Sequence, residues 1–366
     1  MNKRINADYR TFFKVSILLF AYSIIVLVIC IFSRQFSEMY CRTFSAGMRN
    51  ILSAITGIFN FSVAEMLLFV LPIGFVVFEI YLTVRKRFSF KKMFVTLLTA
   101  VFIAFFLFVN TFGVCYFRKP VEENMGFDIK EFSDSELMDS ALFIKQRLEN
   151  FLDGTVFLED GSSKNPYNWS ELNSKLIKGF DRLKKDYPFI SYISSPAKKI
   201  YMSPVMTYTH ISGIFMPFTA EANVNTNYPE YVVAFSTAHE MAHQRGVAGE
   251  DEANFIAFLA CLSSGDSYLS YSALLSMYDY YLDEAYKTDK EMYIELLSVT
   301  DKRVLGEMYA YSVFFDKYRD SAASRVADVV NDSYIKTMGD KVGVESYGRV
   351  VELCTSYLIE KEALPY

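Results

Sequence analysis

Apolar residues crowd the first third of the chain and thin out after it. Phe12 to Phe32, Ala64 to Val84 and Met93 to Phe117 are long apolar runs with no charge near their centres; Lys14, Glu65 and Glu79 lie towards the ends. Each is long enough, as a helix, to cross a hydrocarbon core of about 30 Å. The first run exceeds a signal-peptide core and ends in Ser33-Arg34 without a small-residue cleavage box, so it reads as an uncleaved span. Met48 to Phe61 is apolar but too short to cross, which suits the membrane interface. These runs predict a region of three transmembrane helices over residues 1–117 (about 12–32, 64–84 and 93–117).

Beyond residue 117 the pattern changes to amphipathic helix. Ser133 to Leu152 and Trp169 to Lys185 carry apolar positions at helical spacing, with Asp153-Gly154 and Gly161-Ser162-Ser163 marking loops. From Lys199 to Asn225 apolar residues sit among Tyr, Thr and Ser, which predicts two or three strands joined by turns. Helical spacing returns over Ser267 to Tyr286, Glu291 to Val299, Arg319 to Tyr334 and Tyr347 to Glu360. Tyr278, Tyr281 and Tyr286 recur at intervals that read as helix packing. Residues 118–366 are therefore expected to form one mainly α-helical domain with a small β-sheet.

Basic residues orient the spans. Lys3, Arg4, Arg10 and Lys14 precede the first, and Arg85, Lys86, Arg87, Lys91 and Lys92 crowd the second loop. The longer first loop, Ser33 to Ser62, holds only Arg34, Arg42 and Arg49. By the positive-inside rule the N-terminus and second loop face the cytoplasm. Residues after about Arg118 then lie outside the cytoplasmic membrane, with the lipid bilayer as a partner. The chain of 366 residues holds 37 basic against 42 acidic side chains, a balance that offers no footprint for nucleic acid. Cysteines at 30, 41, 115, 261 and 354 show no C-x-x-C spacing and read as small apolar residues, not a disulfide framework. No charge in the middle of any span offers a transport pathway.

The chain has only three histidines, and two stand in His239-Glu240-Met241-Ala242-His243. Positions i and i+4 stack on one helix face, so both imidazoles can converge on one metal ion. Glu240, beside the first, can take a proton from a metal-bound water, the H-E-x-x-H arrangement of zinc peptidases. Two imidazoles and a carboxylate suit Zn²⁺ and leave a fourth position for water. Gly246-Val247-Ala248-Gly249 breaks the helix, and Glu250-Asp251-Glu252-Ala253-Asn254 opens another. A straight helix would leave Glu250 about 10 Å beyond His243, too far for a shared ion; the glycines let the chain fold back.

His-Glu-x-x-His followed by Glu250-x-x-Ala253-Asn254 resembles the gluzincin class of metallopeptidases. The Glu-x-x-Ala-Asn form is similar to that of the phage-repressor-cleaving peptidases. The resemblance implies a zincin-like α+β fold for the extracytoplasmic domain, with His239, His243 and Glu250 as zinc ligands and Glu240 as general base. It makes Asn254 a partner that orients a ligand histidine. Only six residues separate His243 from Glu250, so Glu252 stays open as a substitute third ligand. The metzincin pattern fails, because Gly249 occupies its ligand position.

A wider resemblance rests on the three apolar segments, Met216 to Asn225, His-Glu-Met-Ala-His-Gln-Arg-Gly and Glu-Asp-Glu-Ala-Asn. Together they resemble a bacterial membrane family known as domain-of-unknown-function family 3810, which supports the architecture and supplies no substrate. The expected activity is hydrolysis of a peptide or protein by metal-activated water. The competing class is a receptor or assembly factor that retains a metal-binding peptidase-like fold. Three residues are open as oxyanion donors: His210, Tyr347 and Arg349. The stretch Phe218 to Asn225 is open as an edge strand that pairs with an extended substrate, or as a structural strand.

Overall fold

The computed structural model describes residues 2–319, 325 and 347–361, with the backbone alone for 2–10 and 347. The expected helix over Arg319 to Tyr334 therefore lies almost wholly outside the described residues. The chain divides into two compact units, one of Met1–Lys119 with Met216–Glu221, the other of Pro120–Phe215 with Ala222–Tyr366.

The first unit is helical. α1 (Asn2–Phe32), α2 (Arg34–Tyr40), a π-helical turn (Cys41–Ser45) and α3 (Ala46–Gly57) are followed by α4 (Val63–Val84) and α5 (Phe90–Thr111). Three stretches, Thr11–Phe32, Val63–Val84 and Phe90–Thr111, are long and apolar enough to cross a membrane. The third ends six residues short of the expected Phe117. Phe112 leaves helical geometry with φ −141°, and Gly113–Phe117 tightens into a 3₁₀ turn.

α1 and α5 pack through aromatic side chains, with Phe20 stacked on Phe102 at 4.5 Å between ring centres. Asn110 near the end of α5 donates to Ser23 Oγ at 3.1 Å and accepts from the Tyr40 hydroxyl at 2.5 Å. Such a buried amide fixes the register of two otherwise apolar helices. Beyond it the buried Arg49 guanidinium donates to the Thr111 carbonyl and to Ser45 Oγ, both at 2.7 Å.

One expectation is corrected here. Cys41 and Cys115 form a disulfide across 74 residues, while Cys30, Cys261 and Cys354 are free and buried. Spacing in sequence carried no sign of it, because the two meet only when the end of α5 packs beside the π-helical turn. The start of α4 is capped by Ser62 and by Glu221, whose carboxylate accepts from the Val63 and Ala64 amides at 3.1 and 2.7 Å.

The second unit is a helical assembly with a small sheet. α6 (Val121–Met125), α7 (Asp134–Glu149) and α8 (Trp169–Asp186) precede the sheet. The two longer helices begin on capping boxes, Ser133 with Glu136 and Asn168 with Glu171, each satisfying two amides that the first turn leaves open. β1 (Lys198–Lys199), α9 (Ser203–Met206), β2 (Gly213–Met216) and β3 (Glu221–Val224) follow. Then come α10 (Glu230–Gln244), α11 (Glu250–Ser263), α12 (Ser267–Thr288), α13 (Lys290–Ser298), α14 (Lys302–Asp316) and the helix Tyr347–Glu360.

The core sits where α10, α11 and α12 meet α7, α8 and the Tyr347–Glu360 helix, around residues such as Leu148, Leu176, Phe255, Tyr278 and Tyr281. Tyr278 and Tyr281 are buried as their spacing suggested, while Tyr286 is exposed. Strand order is β1-β3-β2, with β1 parallel to β3. Phe218 to Asn225 thus contains the central strand. Of the two readings left open for it, the structural strand is the one found, and β1 and β2 stand at the two ends of the sheet.

Candidate metal centre

α10 is buried along most of its length, because Ala234, Ala238, Met241 and Ala242 face the core around it. This fixes the azimuth of the helix, and with it the direction of His239 and His243 one turn apart. The helix stops at Gln244. Arg245 is wholly buried, donates to the carbonyls of Ile193 at 2.6 Å and Met241 at 3.0 Å, and lies over the Phe180 ring. Gly246 then takes φ +92°, a left-handed conformation that a side chain would strain. The chain reverses, and α11 begins at Glu250.

The reversal brings three donors together. The Nε2 atoms of His239 and His243 lie 3.0 Å apart. Glu250 Oε2 lies 3.2 Å from the first and 3.5 Å from the second. Among the described residues this is the group of three or more His, Cys, Asp or Glu side chains arranged so that it could hold a metal ion. Glu252 is directed elsewhere: its Oε1 accepts from the Val121 amide at 2.9 Å. Both histidines are largely buried, whereas the Glu250 side chain keeps 39 % of its surface exposed, which leaves the cluster open on one side.

The far sides of the two rings decide what can sit between them. His239 Nδ1 faces Asn254 Oδ1 at 2.7 Å, and His243 Nδ1 faces the Val247 carbonyl at 2.8 Å. Both partners are acceptors, so both Nδ1 atoms carry the proton in these bonds. Each neutral imidazole then presents a bare lone pair at Nε2. Two lone pairs and a carboxylate oxygen within 3.5 Å need a cation among them, either an extra proton on one ring or a metal ion.

The charges follow that geometry. Burial opposes charge on His243, but the Glu250 and Glu240 carboxylates push its pKa up to about 9. Burial raises Glu250, and the two histidines overcome it and hold the carboxyl well below its ordinary value. Glu240 is the contrast. Burial pushes it up to about 7, against the pull of both histidines and a hydrogen bond from the Phe215 amide. Its Oε2 is buried and has no hydrogen-bond partner among the described residues. Gly213, opening β2, lies against this side chain, and a Cβ there would stand 2.5 Å from Oε1.

The open oxyanion candidates resolve differently. His210 adopts φ +60° and donates from Nε2 to the Tyr318 carbonyl at 2.8 Å, so it is committed to a backbone group outside the cluster. Arg349 donates to Glu122 Oε1 at 2.9 Å and stands 3.6 Å from Asp251 Oδ2. It braces the first turn of α11. The side chain of Tyr347 lies outside the described residues. The Phe215 amide and the approach of Gly213 to Glu240 were missed from sequence, because both depend on β2 lying against α10.

The chain belongs to the family described as "Protein of unknown function (DUF3810)", whose model matches residues 40–355. No curated protein and no solved structure matches the chain.

Proposed function

We propose that this chain is a membrane-anchored zinc peptidase with a zincin-like catalytic unit, acting on a peptide or protein outside the cytoplasmic membrane. The observation that carries the reading is the pair of Nε2 lone pairs facing each other beside Glu250, with both Nδ1 protons committed elsewhere. A tetrahedral zinc site with bonds near 2.0–2.1 Å has ligand atoms about 3.3 Å apart. Separations of 3.0, 3.2 and 3.5 Å fit that figure. His239, His243 and Glu250 would hold the ion.

Zinc bound there supplies Lewis acidity, lowering the pKa of water and polarising a carbonyl. The remaining chemistry belongs to the chain. Glu240 needs no role in holding metal, yet it is buried beside the cluster, with its pKa near neutrality and Oε2 unpartnered. Such a carboxylate accepts a proton from the attacking water and returns it to the nitrogen of the leaving amine. Gly213 leaves room for it, and the Phe215 amide orients it. β2 stands at one end of the sheet beside Glu240, where an extended substrate would lie along it.

The basic second loop supports a cytoplasmic N-terminus, and the Cys41–Cys115 disulfide supports an oxidising compartment for the opposite ends of α1 and α5. The test is Glu240→Gln. The variant retains zinc at wild-type stoichiometry and loses hydrolysis of a peptide library by several orders of magnitude. Full rescue of a deletion phenotype by Glu240→Gln would replace the enzyme with a scaffold.

A further inference from the structure

Positive charge in the first unit is gathered at one end of its apolar helices. The turn between α4 and α5 reads Arg85-Lys86-Arg87-Phe88-Ser89-Phe90-Lys91-Lys92, five basic side chains in eight residues, and no acidic residue occurs from Ile80 to Val121. The turn has a defined backbone. The Lys86 amide donates to the Thr83 carbonyl at 2.9 Å and the Arg87 amide to the Leu82 carbonyl at 2.8 Å, the pair of bonds that closes a helix end. The side chains point away from it. All five basic ones are exposed, as are Phe88 and Phe90, at 44 % and 69 %. Arg85 lies over the Tyr81 ring at 5.6 Å, a contact that leaves its charge in place. Among the described residues no carboxylate pairs with Lys86, Arg87 or Lys91.

The first helix brings more charge of the same sign to that end. α1 runs parallel to α5, since Phe13 and Phe20 stack on Phe102 while Ser23, further along, meets Asn110. The start of α1, whose sequence holds Lys3, Arg4, Arg10 and Lys14 against the single acid Asp8, therefore lies at the same end of the pair as Lys91 and Lys92.

We propose that the turn 85–92 is a binding site for the phosphate of anionic phospholipids. Both helices that leave the turn are long enough to cross a bilayer, so in either orientation of the chain it emerges at headgroup level. Charge then chooses the occupant. Cations this close repel one another unless anions sit among them, and lipid phosphate is the anion met at that depth. Phe88 and Phe90 alternate with the cations, which suits a surface where an apolar layer adjoins a charged one. Nucleic acid offers the same charge, but the two spans hold this turn against lipid. Each basic side chain near an anionic surface adds about fivefold to the attraction. The preference over a zwitterionic lipid is therefore large at low salt and screened at high salt.

The test uses the full-length protein in phosphatidylcholine vesicles that contain phosphatidylglycerol. A fluorophore is placed at Ser89→Cys, where the native hydroxyl makes no cap bond. A control label is placed at Ile58→Cys, which is exposed and precedes the opposite end of α4. The native cysteines are buried or disulfide-bonded and do not compete for label. A nitroxide is carried at one acyl position, either on phosphatidylglycerol or on phosphatidylcholine. The label at 89 is quenched several-fold more by the anionic lipid, and the label at 58 equally by both. In about 1 M salt the two lipids become equal at 89 as well. Lys86→Gln combined with Arg87→Gln and Lys91→Gln brings the ratio at 89 towards one. Equal quenching at 89 by the two lipids at low salt overturns the proposal. So does an equal preference at 58, which would make it a property of the whole protein, or a triple variant that keeps the wild-type ratio. Replacing chloride with inorganic phosphate at constant ionic strength leaves the lipid preference in place; its loss would assign the turn to free phosphate and overturn the lipid. A label at 89 shielded from aqueous iodide but quenched by neither lipid would mean cover by protein, which also overturns it. Zinc and hydrolysis do not enter this readout, so failure of the peptidase reading leaves it standing.

Discussion

Asn254 is the side chain whose removal tests the metal centre without depending on a substrate. It lies one turn after Glu250, so a single face of α11 supplies both a donor of the cluster and the acceptor for the His239 ring. That bond, 2.7 Å from Nδ1 to Oδ1, fixes the tautomer and so keeps the Nε2 lone pair turned into the cluster. Without it the proton is free to move to Nε2, where it blocks the metal. His243 is held by a backbone carbonyl that no substitution removes, so the effect is confined to one ring. Loss of such an outer hydrogen bond weakens metal binding about 10- to 100-fold. That corresponds to about 1.4–2.7 kcal/mol. Asn254→Leu should therefore lose zinc to a chromophoric chelator at 10- to 100-fold lower chelator concentration than wild type. The rise in melting temperature with excess zinc should shrink by the same free energy. Asn254→Asp keeps an acceptor in place and should bind at least as tightly as wild type. Wild-type affinity in Asn254→Leu would refute the argument, and so would an aspartate variant as weak as the leucine one.

The other expectations are shorter. Glu250→Gln should weaken zinc binding far more than Glu252→Gln, since Glu252 is occupied by the Val121 amide; chelator competition reads the order directly, and the reverse order moves the third donor. Gly213→Ala should leave zinc content intact while lowering peptide hydrolysis about 100-fold. Its Cβ, 2.5 Å from Glu240 Oε1, displaces the carboxylate by about 1 Å, and equal turnover in the two proteins would exclude the clash. Glu38 supplies a pH dependence in the first unit. Burial raises its pKa, but the bonds and charges of Arg118 and Arg42 prevail and bring it down to about 2. Because the folded value lies below the unfolded one, the stabilisation is fully present above about pH 4.5 and is lost as pH falls towards 2. Melting of the wild-type protein should fall across that window, and Glu38→Gln should flatten the fall; parallel curves for the two proteins would remove Glu38 as the cause.

Local pattern was enough for much of this molecule. Three apolar runs were legible as helices long enough to cross a membrane, because length and hydropathy alone set that property. Ser133 with Glu136 opens α7, a boundary that amphipathic spacing had already placed at that residue. The joint orientation of His239 and His243 follows from a spacing of four on one helix.

What the tertiary structure decided depends on partners distant in sequence. Cys41 meets Cys115 only because the turn after α5 packs beside the π-helical turn, and neither cysteine carries a local mark of its partner. The choice of Glu250 over Glu252 was open in sequence, since both sit in the first turn of α11. In the fold Glu250 stands with the two histidines after the left-handed turn at Gly246, while the Val121 amide engages Glu252. Whether Phe218 to Asn225 holds an edge or an inner strand was open in sequence for the same reason. Alternation of residue types detects a strand but not its neighbours, and the place of β3 between β1 and β2 depends on hydrogen bonds to Lys198 and Lys199, more than twenty residues earlier in the chain.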